Sequence, residues 1–273
     1  MKFEQTEVMN FEGAFRGMRN PLASWHKSDS IFYMNCEHEY SESAVEVANA
    51  WAQKAVDAID EEVVVDRDEV YEKEMEERLD WLYGNGLRYM KEDHHSTGIY
   101  IGPNDMSLAR RLISGGTEHR KFLRQIMVSV DITAPLYWWK EFDTYKIGTT
   151  ANSTSTMHKL ASTPITLDCF ETDDYDDNFE LSEHYHFTDF INSELIFALE
   201  TLRQKYNETK DKRYWKELVR WLPNGWLQTR TITMNYENLR SMYHQRENHK
   251  LTEWHSFCDW IKTLPYAQEL IID

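Results

Sequence analysis

Residues 226–246 constrain the fold more than any other part of the chain. The stop signal Leu222-Pro-Asn-Gly precedes them, and residues 226–235, Trp-Leu-Gln-Thr-Arg-Thr-Ile-Thr-Met-Asn, then alternate with the period of two that marks a half-buried strand. From Tyr236 to Arg246 the spacing becomes that of a helix. Asn235 stands at the junction, where a short amide side chain satisfies the first unpaired N–H groups of the helix. Residues 122–133 read as a second strand, running into a helix over 135–142. The two strands should share one sheet, packed on that helix and on a long helix over 187–206 whose inner face holds Phe190, Ile191, Leu195 and Leu199. Tyr137, Trp138 and Trp139 follow one another, cover more than one helix face and suit burial on both sides. Residues 251–264 read as a further helix. The fold class is α+β, an antiparallel or mixed sheet packed with long helices.

A polar run follows the aromatic helix. Six of the eight residues from Thr149 to Thr156 are Thr or Ser, and Asn152 is a seventh polar residue. Short hydroxyls and backbone N–H groups at this density can hold phosphate or sugar oxygens. The alternative is a solvated Ser/Thr loop. On the helix after Asn235, Arg240, Tyr243 and either His244 or Arg246 fall three to four residues apart. Arginines there offer bidentate donors to phosphate or carboxylate, or serve as surface partners for the many acids.

The N-terminal hundred residues read as a separate helical region. Helical patterns cover 43–60 and 68–83, the second carrying Val70, Met75, Leu79 and Leu82 and ending at Gly84-Asn-Gly86. Residues 98–104 form a turn into a helix over 106–113, with Asn104 as its cap. The domain division is therefore 1–100, a helical elaboration, and 101–273, an α+β core. Asp173-Asp-Tyr-Asp-Asp177 is a polar excursion.

With 47 acidic and 30 basic residues the net charge is -17, which argues against duplex nucleic acid over a broad face but leaves room for a small anion in a local basic pocket. Hydrophobic residues at 41% suffice for a core. No apolar run approaches a membrane span, and the start lacks a secretory segment. Cys36, Cys169 and Cys258, odd in number and far apart, suggest reduced thiols in a cytoplasm. Glu183-His184-Tyr185-His186, with His94-His95 and the acids around Asp174, has ligand types that suit zinc or iron. No sharp metal motif accompanies them, so they read as exposed histidines at a helix start, and no metal is expected.

In their order, these segments resemble the flavin-dependent thymidylate synthases over roughly residues 104–260. Ala134-Pro135 matches a helix beginning Ala-Pro. Thr144-Tyr145-Lys146 occupies the place of an Arg-His-Arg signature, and Ile147-Gly148-Thr149 matches its continuation. Asn152 to Thr156 covers the nucleotide loop. Leu222-Pro223, Thr229-Arg230, Asn235-Tyr236, Arg240 and Arg246 follow without a gap, and His249 and Glu253 fit a family His-x-x-x-Glu after one deletion. The resemblance implies a dUMP-like pyrimidine nucleotide held by Asn152, Ser153, Thr154, Ser155, Arg230 and Arg246. It implies FAD contacts at Tyr145, Lys146, Thr149, Asn235, Arg240 and His249, with a folate donor and NADPH if the chain is catalytic. It also implies a homotetramer with shared sites and one-carbon transfer to the pyrimidine C5. The chain departs from the family where chemistry needs charge. Of the signature only Lys146 keeps a cation, the loop Glu is Asn152, the later loop Arg is Thr156, and Arg124-Gln125 replaces a Glu-His. These losses leave two alternatives open: a nucleotide-binding pseudoenzyme, or a pyrimidine nucleotide hydroxymethylase without the usual flavin mode.

Overall fold

The computed structural model describes residues 1–34, 42–57, 66–86, 97–173, 176 and 178–273. Cys36, His94, His95 and Asp174, singled out above, lie outside the described residues. In chain order the regular elements are β1 (Lys2–Met9), α1 (Phe11–Arg19), β2 (Ile31–Met34), α2 (Glu42–Asp57), α3 (Arg67–Gly86), β3 (Thr97–Tyr100) and α4 (Pro103–Ser114). Next come β4 (Met127–Pro135), α5 (Leu136–Phe142), β5 (Thr150–Ser153), α6 (Thr156–Ser162), β6 (Glu180–Ser182), β7 (Tyr185–His186) and α7 (Phe187–Asp189). The chain closes with α8 (Phe197–Thr209), α9 (Lys212–Trp221), β8 (Leu227–Asn235), α10 (Tyr236–Arg246) and α11 (Thr252–Lys262). These elements form two compact units, Met1–Val8 with Met127–Ile261, and Met9–Ile126 with Lys262–Asp273.

The first unit is built on a four-stranded sheet of order β1-β4-β8-β5. β4 and β8 pair antiparallel over nine residues, from Met127 opposite Asn235 to Pro135 opposite Leu227. The alternation read from the sequence divides the two faces. Val128, Val130, Ile132 and Ala134 are buried, as are Ile232 and Met234. Buried in the same unit is an aromatic layer from α5 and α11, in which the Trp138 ring lies 4.9 Å from Trp254 and 5.0 Å from Phe142. Trp139 Nε1 donates to the Gln228 carbonyl at 2.9 Å and ties α5 to the sheet. On the opposite face the side chains are polar and pair across the strands. The Thr133 and Thr229 hydroxyls are 2.7 Å apart, and the Thr231 hydroxyl donates to Asp131 at 2.5 Å.

Four sequence expectations change here. The strand expected over 122–133 begins at Met127, because 121–125 form a 3-10 turn in which the adjacent Phe122 and Leu123 are both buried, which breaks the alternation of a strand with one buried face. The first residues are not part of a helical region but strand β1. A positive φ of 51° at Gln5 resets the alternation, so Phe3 stacks on Trp260 at 5.2 Å and Thr6 accepts from Trp260 Nε1. The polar run is not wholly a loop: Thr150 to Ser153 form the edge strand β5, opposite Thr233 to Arg230 of β8, whose backbone groups pair it in spite of its weak strand propensity. The long helix over 187–206 is interrupted by a π-helical stretch at Phe190–Ile196, whose wider turn shifts the phase of the faces. Leu199 is buried as expected, whereas Phe190, Ile191 and Leu195 are half-buried and Phe197 turns outward. Leu199 joins Leu160, Ile165, Leu218 and Trp226 in a satellite core under α6, α8 and α9.

In the second unit α1 packs on the turn at 121–125, with the Phe15 and Phe122 rings 5.8 Å apart, and β2 pairs antiparallel with β3. The fully buried Asp105 carboxylate accepts from Arg19 Nε (2.5 Å), Ser28 (2.6 Å) and Ser30 (2.5 Å), which satisfies a charge that burial would otherwise penalise. The cap of α4 is Gly102 rather than Asn104. The donors at its start are satisfied from a distance by Asp29, which accepts from Asn104 N at 2.8 Å and Asp105 N at 3.0 Å.

Candidate functional site

The C-terminal turn of α5 carries Glu141 and, just beyond the helix, Asp143, and four of the residues expected to bind ligand, Arg230, Arg246, Tyr145 and His249, converge on it. Glu141 Oε2 accepts from Arg246 Nη1 at 3.0 Å and from Trp254 Nε1 at 3.0 Å, and His249 Nε2 lies 3.4 Å away. His249 Nδ1 accepts from the Leu251 N–H at 3.2 Å, which turns Nε2 toward Glu141. Arg246 Nε donates to the Tyr145 hydroxyl at 2.8 Å, and its guanidinium lies 4.6 Å over the Trp254 ring. Arg246, Tyr145 and His249 therefore form one network, with Glu141 and Trp254 as members that the sequence pattern did not single out.

Arg230 is held beside that network. Its Nη1 donates to Asp143 Oδ1 at 2.7 Å, its Nε donates to Gln228 Oε1 at 3.0 Å, and its guanidinium lies 4.3 Å over Trp139. Gln228 passes the contact on, since its Nε2 donates to the Thr154 carbonyl at 2.9 Å and to the Thr156 hydroxyl at 3.2 Å. Ser153 pairs with Arg230 in the β5–β8 register. The structure thus brings Arg230 to the hydroxyl-rich segment, while Arg246 is committed to Glu141 and Tyr145.

The remaining expected residues surround the turn that links α5 to β5. Gly148 adopts φ +74°, and a Cβ there would lie 2.9 Å from Asn238 Oδ1 and 3.0 Å from Asn235 Nδ2. Asn235 and Asn238 cap each other's backbone N–H at the start of α10, and Asn238 Nδ2 donates to the Ile147 carbonyl at 2.8 Å. Asn235 is thereby spent on the fold. The Thr149 hydroxyl is buried with no partner among the described residues. Arg240 is half-buried on α10 and is engaged within the fold. Lys146 is exposed and is a cation without a partner among the described residues. Asn152, Ser153, Thr154 and Ser155 are exposed, and Ser155 caps α6 by accepting from His158 N.

Thr154 and Thr156 also belong to a cavity of about 640 Å³ on the hydroxyl-bearing side of the sheet. Thr133 and Thr229 add two more hydroxyls, Phe170 and Trp226 form an aromatic wall, and Lys2 and Lys159 bring cations. The Phe170 and Trp226 rings meet edge to face at 5.6 Å, which fixes that wall. Asp168, Glu171 and the half-buried thiol of Cys169 also line it. The hydroxyl run announces Thr154 and Thr156, while the rest of the lining, from Lys2 to Thr229, is too scattered along the sequence to be read from it. Of the histidines considered for metal, His184 is exposed beside Glu183, and among the described residues no group of three metal-ligating side chains forms. Among the described residues no helix is long and apolar enough to cross a membrane.

The chain is similar to two solved structures of the flavin-dependent thymidylate synthase ThyX from Helicobacter pylori, both complexed with FAD and dUMP. One is 15% identical, covers 87% of this chain and 97% of its own, and superposes with a TM-score of 0.45. The other, at 2.31 Å resolution, is 14% identical over 88% of this chain and 97% of its own, with a TM-score of 0.46. No protein-family model matches the sequence, and no curated protein matches it.

Proposed function

We propose that this protein binds a pyrimidine deoxynucleotide of the dUMP type in the cavity beside Thr154 and Thr156. The observation that carries the proposal is the composition of that cavity. Its volume of about 640 Å³ falls within the roughly 300–1,000 Å³ of small-molecule sites. The hydroxyls of Thr133, Thr154, Thr156 and Thr229 can both donate and accept, as a uracil edge and a sugar require. Phe170 and Trp226 offer ring faces and edges to a flat base. Lys159 and Lys2 supply point charges for a phosphate, and Asp168 can accept from a sugar hydroxyl.

The residues proposed for FAD do not fit a tightly held flavin. Asn235 is used as a helix cap, His249 and Tyr145 belong to the Glu141–Arg246 network, and Arg240 is engaged within the fold. Lys146 is left as a single exposed charge for a phosphate. The proposal is therefore nucleotide binding, with weak flavin affinity and little or no one-carbon transfer. It includes assembly into a homotetramer, for which Phe197 (67% exposed) and Trp221 (65%) offer apolar surface. A monomer in light scattering at micromolar concentration would remove that part.

Alkylation of Cys169 tests the ligand. With excess maleimide at neutral pH, dUMP should slow modification of the Cys169 peptide, while the buried Cys258 stays unmodified in either case. An unchanged Cys169 rate at millimolar dUMP would refute the proposed location.

A further inference from the structure

Arg230 and Arg246 are both paired with acids at the end of α5, but the two acids are held very differently. Glu141 is fixed by Arg246, Trp254 Nε1 and the nearby His249. Among the described residues the Asp143 carboxylate has one donor, Arg230 Nη1, and its side chain is 51% exposed. Arg230, by contrast, is 14% exposed and immobilised by Gln228 and the Trp139 ring. A rigid guanidinium therefore faces a carboxylate that can leave at little cost, because a half-exposed ion pair of this kind is weak.

We propose that Asp143 is an in-chain stand-in for a ligand oxyanion, and that a phosphate group takes its place on Arg230. Guanidinium favours two parallel hydrogen bonds to a planar or tetrahedral oxyanion, and Asp143 uses only Nη1; no partner for Nη2 is found among the described residues. Release of Asp143 also removes the nearest negative charge and leaves the uncommitted Lys146 three residues further along. Gln228 joins Arg230 to Thr154 and Thr156, so occupancy of Arg230 is felt at the cavity wall. Arg246 takes no part, since Glu141 cannot leave without stranding the indole N–H of Trp254. This oxyanion is a second one, on the opposite face of the sheet from the phosphate placed beside Lys159 and Lys2 in the cavity, and the exchange rests on the geometry alone.

Inorganic pyrophosphate, which has neither base nor sugar, is the probe. Calorimetric titration at low salt into the wild-type chain, Asp143→Asn and Asp143→Asn/Arg230→Gln should give about fivefold tighter binding to the single variant than to wild type. The double variant should lose that gain. Asp143→Asn binding no tighter than wild type, including no binding to either, would overturn the exchange, as would a double variant that keeps the gain. A gain with pyrophosphate but no binding of dUMP would leave this inference standing and remove the nucleotide proposal. Binding of dUMP without the pyrophosphate gain would do the reverse.

Discussion

Replacing Glu141 by Ala should destabilise the protein far more than replacing Asp143, two residues away. Glu141→Ala removes a charge-assisted bond to Arg246, whose side chain is 19% exposed, and its own side chain is 34% exposed. Solvent screening puts that bond at the low end of the roughly 1.5–3 kcal/mol typical of hydrogen bonds to charged groups. The same change strands Trp254 Nε1 in a fully buried residue, a penalty of about 1–3 kcal/mol. The two losses share one acceptor and are not additive, so a total of about 2–4 kcal/mol follows. Asp143→Ala removes a single half-exposed pair and should cost less than about 1 kcal/mol. Urea unfolding followed by tryptophan fluorescence measures both. Equal losses in the two variants, or a Glu141→Ala loss below about 0.5 kcal/mol, would refute the distinction between a fixed and a releasable carboxylate.

Glu200 accepts two bonds from Arg203, at 2.5 and 2.7 Å, and others from Ile165 N and Gln204, and the Arg203 guanidinium leads in holding its carboxyl down to about 2 from the usual 4.5. A depressed folded value gives stability that is present above about pH 4.5 and is lost as pH falls toward 2. Glu200→Gln should therefore flatten the stability profile between pH 5 and 2 relative to wild type, and parallel profiles would count against the assignment. Gly148→Ala forces a side chain into left-handed backbone and against Asn235 and Asn238, and should lower stability by about 1–3 kcal/mol. A variant as stable as wild type would show that the turn relaxes.

The sheet was legible in the sequence because β4 and β8 keep a strict two-residue alternation and end at Pro135 and Asn235, two residues with local structural meaning. The division within 187–206 was not, because a π-helical stretch changes the turn without any residue that marks it. β1 was hidden by the backbone at Gln5, which breaks the alternation a strand would show. The site was legible only in part. Arg246 and the run from Asn152 to Ser155 were visible as side chains suited to anions and sugars, whereas Arg230 and Tyr145 came only from the family resemblance. Their partners were not, since Glu141 and Arg246 are 105 positions apart and Gln228 reaches Thr154 across 74. Such pairings come from strand register and helix packing, which one sequence does not display. Asp29 capping α4 in place of Asn104 is the same effect in the second unit.

Binding of dUMP itself tests the central claim most directly. Isothermal calorimetry on the wild-type chain and on Thr154→Val/Lys159→Ala, which removes one hydroxyl and one cation from the cavity wall, measures it. Saturable binding to wild type is predicted, weakened about tenfold or more in the variant, as the loss of one neutral and one charged hydrogen bond implies. No binding to wild type, or equal affinity in the two proteins, would contradict a nucleotide in this cavity.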